Sequence, residues 1–548
     1  MDFHGKHMLV LGLGETGLSM ARHLAAQGAT LRVADTRTQP PGLQALVEAI
    51  PAAEVACGPL QEPLFEGVAG VAVSPGVAIS GPLADPLVTA AIARGLPFMG
   101  DIELFALALA QEHAATGYSP KILAVTGTNG KTTVTALTAL LARKAGKRVT
   151  AAGNIRPAAL DAWRDAKAGA TLFEQSADQL PPRRPTQLPE IWVLELSSYQ
   201  LETTHSLKPD AAVMLNLSED HLDRHGNMAE YAKAKARIFM NGGIQVLNRD
   251  DAASMAMQRP FDAKKKKKHV APVVMSFGMS VPQSPAEYGL VRDLRADGVI
   301  WLAEGGSGGG EGVAAPNRLM PLELLKIKGL HNAANALAAL ALNRAIGLPL
   351  APMLKALRDY SGEAHRVQPV ATVGQVDYID DSKGTNVGAT LAALNGLAAG
   401  LRAPGRIVLI AGGDGKGQNF AALAAAVRAA CRAVLLIGRD AGQMRAALTR
   451  SGVELIDAPS LDAAVQAAAR CAQAGDIVLL SPACASFDMF DNYAHRASVF
   501  VDAVRALGNA HGPGPAGESE GSAAVAAALP ADAAAADHAI PPAGAAGA

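Results

Sequence analysis

The sequence has 548 residues, enough for three or four domains at about 150 residues each. Its 49 lysines and arginines balance 50 aspartates and glutamates, and the resulting net charge of −1 argues against a protein that wraps nucleic acid. Hydrophobic residues make up 49% of the chain and charged residues 18%, a composition that excludes global disorder and allows several cores.

The chain begins with a predicted strand, a glycine-rich turn, a helix and a second strand. These are residues 7–11, Gly12-x-Gly14-x-x-Gly17, residues 18–26 and residues 30–35, the last ending at Asp35. The backbone amides at the start of such a helix attract any diphosphate. The turn could therefore bind a nicotinamide or flavin dinucleotide, or another diphosphate such as a nucleotide sugar. It could also be a tight turn that binds no ligand. We favour the nucleotide sugar.

A second strand–loop–helix unit begins at Lys121. Its loop reads Gly127-Thr128-Asn129-Gly130-Lys131-Thr132-Thr133, between a strand at 122–125 and a helix at 134–143. In such a loop the amides cradle phosphates, the lysine neutralises the β- and γ-phosphates, and the Thr132 hydroxyl can bind Mg²⁺. The loop departs from the usual GxxxxGK[ST] pattern because Val125 occupies the first glycine position. A Gly-Lys-Thr-Thr sequence at the start of a helix is not explained by packing in a hydrophobic core. The loop therefore predicts ATP binding.

Two further polar groups follow predicted strands of this second block. Glu195 ends the strand at 191–195, and Glu219-Asp220-His221 follows the strand at 211–215. Carboxylate oxygens suit Mg²⁺, whereas an imidazole is an unusual ligand for it. From the residues alone, His221 is therefore either a metal ligand or a turn residue. On the same basis Lys235, in a helical stretch, is an exposed helix lysine.

A third α/β block begins near Glu363, with predicted strands at 406–411, 433–437 and 476–480. Polar residues dominate the segment Asp380-Asp381-Ser382-Lys383-Gly384-Thr385-Asn386, which follows a strand at 376–379 and is hard to explain as packing. Cys484 could act as a nucleophile, but no histidine partner is indicated, and small buried cysteines are common.

The predicted domain bounds are 1–100, 101–362 and 363–510, followed by a tail at 511–548. The segments 171–190 and 305–312 have the composition of loops, and the five lysines at 264–268 are expected to form a solvated surface loop. The four cysteines lie far apart, without a CxxC pair, which favours reduced thiols. No stretch approaches the about 20 apolar residues of a membrane span, and no signal peptide is recognisable. We expect a soluble, cytoplasmic protein.

The tail is expected to be disordered and dispensable. Its 38 residues contain 16 Ala, 6 Gly and 5 Pro, too little apolar surface to offset the entropy of ordering. A chain ending at Ala510 should keep the melting temperature and activity of the full chain. A drop of several degrees in a thermal scan would show that the tail docks.

The GTNGKTT loop resembles the ATP loop of the Mur ligase family, which also includes folylpolyglutamate synthetases. The family's motifs recur in this chain from Gly12 to Tyr493. The resemblance implies three α/β domains: an N-terminal Rossmann-like domain that binds a UDP-sugar, a central P-loop ATPase-like domain, and a C-terminal Rossmann-like domain that binds an amino acid. The N-terminal block argues against a folate enzyme. The implied reaction adds D-glutamate to UDP-N-acetylmuramoyl-L-alanine through an acyl phosphate, in peptidoglycan precursor synthesis. A monomer is expected.

The resemblance also implies site residues. Beyond the P-loop residues, those implied for ATP are Asn332, Asn335, Arg366, Asp381 and Lys383. Those implied for the UDP-substrate are Gly14, Thr16, Asp35, Thr36, Arg37, Ser74, Gly76, Asn154 and Ser197. Those implied for D-glutamate are Thr385, Lys416, Ser486 and Tyr493, the last phenylalanine-like in the family. Those implied for two magnesium ions are Thr132, Glu195, His221 and Lys235, the lysine as an anionic carbamate. Those implied to be catalytic are Lys131, Lys235, His221 and Lys383. Arg156 stands where the family pattern has glycine, which leaves the path of its loop open.

Three other functions remain to be separated from this one. The chain could add a different amino acid, could be an NAD-dependent oxidoreductase, or could bind ATP as a switch without catalysis. Release of phosphate from ATP that depends on a nucleotide sugar distinguishes these functions.

Overall fold

The computed structural model describes residues 2–169, 188–259, 273–293, 298–306, 315–327, 329–398, 401 and 403–510. The lysine run at 264–268, the tail from His511, and most of the loops predicted at 171–190 and 305–312 lie outside these residues. Within the described ranges, no helix combines the length and apolar character needed to cross a bilayer. All four cysteines are free thiols.

The first sheet has five parallel strands in the order β3-β2-β1-β4-β5. The strands are β1 His7–Leu11, β2 Thr30–Asp35, β3 Glu54–Cys57, β4 Gly70–Val73 and β5 Phe98–Met99. The helices are α1 Glu15–Ala26, α2 Leu43–Ala49 and α3 Pro86–Ala93. Helix α1 begins three residues before the predicted start, because Glu15 to Gly17 of the glycine turn already form its first turn.

The second sheet has nine strands in the order β14-β13-β12-β11-β10-β9-β6-β8-β7. The strands are β6 Lys121–Thr126, β7 Val149–Gly153, β8 Ile191–Glu195, β9 Ala211–Met214, β10 Ile244–Asn248, β11 Val274–Phe277, β12 Glu287–Arg292, β13 Ile300–Glu304 and β14 Asn317–Pro321. Strands β6 to β12 pair in parallel, whereas β13 and β14 pair antiparallel at one edge. This antiparallel edge has no counterpart in the sequence-based expectation.

Nine helices accompany this sheet within the described residues. They are α4 Asp101–Thr116, α5 Lys131–Lys144, α6 Ala159–Lys167, α7 Ser198–Glu202, α8 Leu222–His225, α9 Met228–Ala236, α10 Ala252–Ala256, α11 Leu330–Ala345 and α12 Leu350–Asp359. Helix α4 packs between the first two sheets: Leu104 and Phe105 share one apolar cluster with Val10 of β1 and Trp192 of β8. The glycine turn and the P-loop are therefore held by a common core.

The third sheet has six strands in the order β15-β16-β20-β17-β18-β19. The strands are β15 Gln368–Val373, β16 Val376–Asp380, β17 Ile407–Gly412, β18 Cys431–Ile437, β19 Glu454–Asp457 and β20 Ile477–Leu480, of which only β15 pairs antiparallel. The helices are α13 Val387–Ala398, α14 Leu423–Ala430, α15 Ala441–Leu448, α16 Leu461–Cys471 and α17 Tyr493–Ala510. The expected class of three successive α/β units is confirmed.

Candidate active site

The P-loop connects β6 to α5 at the carboxyl edge of the second sheet, where sites of α/β folds form. Gly127 and Gly130 adopt φ values of 157° and 83°, which a side chain would strain. The Lys131 ammonium donates to the carbonyl oxygens of Gly127 and Thr128, both at 2.8 Å. Burial lowers the pKa of Lys131. Both hydrogen bonds of this ammonium thus go to its own loop.

Lys235 lies in the last turn of α9 and is 1% exposed. Its ammonium donates to the same Gly127 carbonyl at 2.8 Å and lies 4.8 Å from the centre of the Tyr231 ring. Burial, reinforced by the positive charge of Lys131, holds the pKa of Lys235 well below its usual value. The interpretation of Lys235 as an exposed helix lysine is therefore wrong.

Glu195 and His221 have the features of metal ligands. Glu195 is 2% exposed; its Oε1 accepts from Asn154 Nδ2 at 2.8 Å, and its Oε2 has no partner among the described residues. His221 has a positive φ of 56°, and burial lowers its pKa to about 3, which keeps the imidazole neutral as metal binding requires. Neighbouring charges add to these shifts: the Glu195 carboxylate acts to raise the pKa of Lys131 against burial, and the Lys235 ammonium further lowers the pKa of His221.

Among the residues that the structure describes, no three His, Cys, Asp or Glu side chains could hold a metal by themselves. A divalent ion at Glu195 and His221 would have to share the Thr132 hydroxyl and phosphate oxygens of a bound nucleotide. Such a shared ligand set is typical of Mg²⁺, which is usually held by one or two carboxylates together with phosphates. The orphaned Oε2 of Glu195 fits this role.

The glycine turn is shaped by Asp35. Its Oδ2 accepts from the Leu13 amide at 2.6 Å, and its carboxylate pairs with Arg37 at 2.7 Å. Although burial alone would raise it, the hydrogen bonds from Arg37 and from the Leu13 amide lower the pKa of Asp35 to about 2. A Cβ on Gly17 would lie 1.8 Å from the Gly12 carbonyl oxygen, so helix α1 can pack on the turn only with glycine there. Asp35 is thus occupied in holding the turn.

A cavity of ≈ 950 Å³ joins the three sheets. The predicted site residues among those that line it are Thr16, Thr132, Asn154, Glu195, Lys383 and Tyr493. Residues predicted for the UDP-substrate, the metal, ATP and the amino acid therefore meet in one space. Arg156 also lines the cavity and pairs with Glu15, while the Asn154 amide donates to the Glu195 carbonyl, so the loop stays anchored on β8 despite the arginine.

Seven residues predicted for the UDP-substrate are not among those that line this cavity: Gly14, Asp35, Thr36, Arg37, Ser74, Gly76 and Ser197. Arg37 is about half exposed. Ser197 caps α7: its hydroxyl accepts from the Gln200 amide, and the Gln200 side chain accepts from the Ser197 amide. The structure thus gives Ser197 a local role as a helix cap, and its contact with substrate stays a prediction.

A second cavity of ≈ 390 Å³ lies on the other side of the P-loop. It brings together the predicted ATP residues Asn129, Gly130, Thr133, Asn332, Asn335, Arg366 and Asp381. The Asn335 amide donates to Asn332 at 3.1 Å, and the buried Arg366 Nε has no partner among the described residues. Burial raises the pKa of Asp381 to about 7. Phe277 and His331 also line this cavity and were not predicted.

The third sheet reaches the P-loop through polar contacts. Lys416 Nζ pairs with Asp220 at 2.9 Å, and Asn386 donates to both Asn129 and Asp220. Lys416, expected to hold D-glutamate, is thus bound to a carboxylate of the central domain. Neither Asp220 nor Asn386 was predicted. Each stands within a motif that was recognised, directly beside a residue that was singled out.

The remaining amino-acid residues surround the last loops of the third sheet. Ser486 is 3% exposed, and the Tyr493 ring centre lies 5.2 Å from the Lys383 ammonium. Arg496, also missed by the sequence analysis, is 1% exposed and donates to the carbonyls of Ser382 and Cys484, at 2.7 and 3.1 Å. Burial raises the pKa of the Cys484 thiol to about 12, which argues against a nucleophile.

The matches to known protein families correspond to the three α/β units of the chain. The chain matches the family models "Mur ligase MurD-like, N-terminal domain" over residues 6–100, "Mur ligase middle domain" over 125–343 and "Mur ligase, glutamate ligase domain" over 365–484.

Two relatives carry the name UDP-N-acetylmuramoylalanine--D-glutamate ligase. The protein from Ralstonia nicotianae is 52% identical over 525 residues, and the protein from Cupriavidus pinatubonensis is 51% identical over 527. Each alignment covers 92% of this chain and 98% of the relative. Among solved structures, UDP-N-acetylmuramate-alanine ligase MurC from Thermotoga maritima matches with a TM-score of 0.54 at 19% identity, covering 91% of this chain and 99% of that one. That last likeness bears on the fold alone.

Proposed function

The chain belongs to the Mur ligase family, and we propose that it joins D-glutamate to UDP-N-acetylmuramoyl-L-alanine at the expense of ATP. The observation that carries the proposal is the pair of relatives, above 50% identical over nearly their whole length, whose names state this reaction. The convergence of phosphate-binding, metal-binding and polar residues of three sheets on one cavity supports it.

The reaction runs in two steps. A carboxylate oxygen of the terminal L-alanine attacks the γ-phosphorus of ATP, the bond to the β,γ-bridging oxygen breaks, and ADP leaves. The neutral amine of D-glutamate then attacks the acyl phosphate carbon. The carbon–oxygen bond to phosphate breaks, phosphate leaves, and the new amide nitrogen loses a proton. No protein nucleophile is needed, so the work of the chain is positioning and charge neutralisation.

In this reaction Lys131 turns from its loop carbonyls to the β- and γ-phosphates. Asn332, Asn335, Arg366 and Asp381 hold the nucleotide in the smaller cavity. Thr132, Glu195 and His221 would hold Mg²⁺, and the ion would neutralise part of the phosphate charge.

Lys235 acts in this proposal as a carbamate that helps to hold a second Mg²⁺. Carbamylation needs a neutral amine to attack CO₂, and the lowered pKa of the buried Lys235 provides that amine. The carbamate would also end the repulsion between two cations that share one carbonyl acceptor. The carbamate would place an anionic oxygen, the kind of ligand that Mg²⁺ prefers, beside the P-loop.

D-glutamate carries two carboxylates, which suit a lysine and hydroxyl donors. Lys416, Thr385, Ser486 and Tyr493 are the proposed partners. Binding would replace the carboxylate of Asp220 on Lys416 by one of the substrate. Since residues of one chain provide every proposed group, and since the substrates are ATP and a nucleotide sugar, we propose a monomer acting in the cytoplasm. Its reaction would serve peptidoglycan synthesis, and through it cell shape and division.

The decisive experiment offers the protein UDP-N-acetylmuramoyl-L-alanine, Mg²⁺-ATP and a panel of D- and L-amino acids. Phosphate release and product mass are measured for each. We expect product with D-glutamate and little with the others. Product with another amino acid would indicate a different ligase of the family, and phosphate release without product would contradict a ligase.

The glycine turn is expected to bind a uridine diphosphate group and not a nicotinamide. Isothermal titration with UDP-N-acetylmuramoyl-L-alanine should give saturable binding, whereas NADH should give none at the same concentrations. The backbone amides of the turn can donate to the oxygens of any diphosphate. The choice between uridine and nicotinamide must therefore come from contacts to the rest of the ligand. Tight NADH binding without nucleotide-sugar binding would favour an oxidoreductase.

The affinity for Mg²⁺-ATP is expected to fall as pH rises through about 8. Burial, with Arg366 nearby, lowers the pKa of Lys383 to about 8, so its ammonium is charged below that pH and neutral above it. Loss of this charge removes an attraction for the phosphates. Titrations between about pH 7 and about pH 9 should show the fall in the wild type. In Lys383→Gln, binding should be weaker and the step at about pH 8 absent; an unchanged step would assign it to another group.

A further inference from the structure

Arg224 and Glu202 form a buried ion pair outside the site described above. Their side chains are 5% and 11% exposed, and Arg224 Nη2 lies 2.9 Å from Glu202 Oε2. Glu202 is the last residue of α7, and Arg224 lies in α8, three residues after His221. Neither residue lines the large cavity or belongs to the predicted site residues. A buried pair of this kind needs further hydrogen bonds to offset its loss of hydration.

Those further bonds reach into the N-terminal domain. Arg224 donates from Nη2 to the Val77 carbonyl at 3.1 Å and from Nη1 to the Pro75 carbonyl at 3.4 Å. Glu202 Oε1 accepts from the Ser80 hydroxyl at 3.2 Å. The backbones also touch, because a Cβ on Gly81 would lie 2.2 Å from the Arg224 carbonyl oxygen. The pair therefore ties one loop of the first domain to two helices of the second.

The loop held in this way follows β4 and contains Ser74, Pro75 and Gly76. Pro75 lines the large cavity together with Thr16. Helix α8, which holds the loop, directly follows its N-cap residue His221, a residue of the proposed metal site. One short element thus connects a wall of the substrate cavity to the phosphate-transfer centre. The planar guanidinium suits this task because it can bind carbonyls and a carboxylate at once, and its carbon lies 4.6 Å from the centre of the Tyr199 ring.

We propose that Arg224, oriented by Glu202, is a positioning residue that fixes the loop at 74–77 relative to His221. In this way it aligns the terminal carboxylate of the bound nucleotide-sugar substrate with the γ-phosphate of ATP. The inference rests on the proposed function. Arg224 is proposed to affect the position of the nucleotide-sugar substrate. The affinity for ATP is set by the P-loop and should not depend on Arg224.

Arg224→Lys tests the role, because lysine keeps the charge but lacks the fork that holds two carbonyls and a carboxylate. We expect the KM for UDP-N-acetylmuramoyl-L-alanine to rise about tenfold or more, the effect of one lost charge-assisted hydrogen bond. The KM for ATP should change by less than about twofold. Titration of the nucleotide sugar without ATP should show the same weakening. Glu202→Gln keeps the shape of the pair, so it should raise the KM for the nucleotide sugar by a smaller factor than Arg224→Lys.

Arg432→Lys is the matched control. Arg432 pairs with the buried Asp476 inside the C-terminal domain, with Nη2 3.0 Å from Oδ1, so its loss should lower stability without changing either KM. If Arg224→Lys and Glu202→Gln lower the melting temperature, as Arg432→Lys should, but change neither kcat nor the KM for the nucleotide sugar, the positioning role is wrong. The wild type reports separately on the proposed function, since a wild type that makes no product with D-glutamate contradicts that function whatever the variants do.

Discussion

Replacement of Lys131 by alanine is expected to reduce ligation by about 100-fold or more while the protein stays folded. Within the part of the chain that the structure describes, the Lys131 ammonium hydrogen-bonds only to carbonyl oxygens of its own loop, so its removal breaks no hydrogen bond between domains there. In the reaction the γ-phosphate would lose its main protein partner. Product formation from D-glutamate measures the loss, and a thermal scan measures folding.

Lys144→Ala is the control for this variant, because Lys144 is exposed and lies at the opposite end of the same helix α5. It should retain the activity of the wild type. A well-folded Lys131→Ala variant that ligates at a near-normal rate would contradict the assignment of the P-loop to the active site.

Lys235→Ala is expected to be nearly inactive and to be restored in part by small carboxylates. The substitution leaves a space beside Gly127 and Tyr231, at the place where the proposal needs an anionic oxygen. Acetate or formate can enter that space and supply the anion. Lys235→Arg should be inactive and resist rescue, since its cation still fills the position. Activity is assayed with and without each carboxylate.

Lys233 provides the matched control for Lys235. It lies two residues earlier in α9, its side chain is 76% exposed, and it pairs with Glu230. Lys233→Ala should keep full activity. A carbonyl carbon signal from ¹³C-bicarbonate should appear in the wild type and in Lys233→Ala but not in Lys235→Ala. Full activity of Lys235→Ala, or an active wild type whose Lys235 stays unmodified in a bicarbonate-free preparation, would contradict the carbamate.

The parts of the site that could be predicted depend on local sequence. A glycine turn and a P-loop are short segments whose residues act together through their own backbone, as at Gly17 and Lys131. The order of strands and helices follows from apolar runs and turns in the same way. The antiparallel edge of β13 and β14 was not predicted, because the sequence analysis assigned no strands to that stretch.

The contacts that could not be predicted join distant parts of the chain. Asp220 and Lys416 are separated by 196 residues, and Pro75 and Arg224 by 149. The burial of Lys235 depends on how α9 packs against the P-loop, 108 residues earlier in the chain, and its own helical pattern does not reveal this. Single-sequence patterns carry no information on such pairs, which is why the residue was interpreted as exposed.

The uneven joining of the three sheets has a mechanical consequence. The first two share an apolar cluster, whereas the apolar clusters of the third contain only residues from its own part of the chain. The contacts described between the third unit and the central domain, such as Lys416 with Asp220, are polar. An apolar core therefore joins the first two sheets, whereas charged and polar groups join the third unit to them, so the charges of a bound substrate act directly on that second junction.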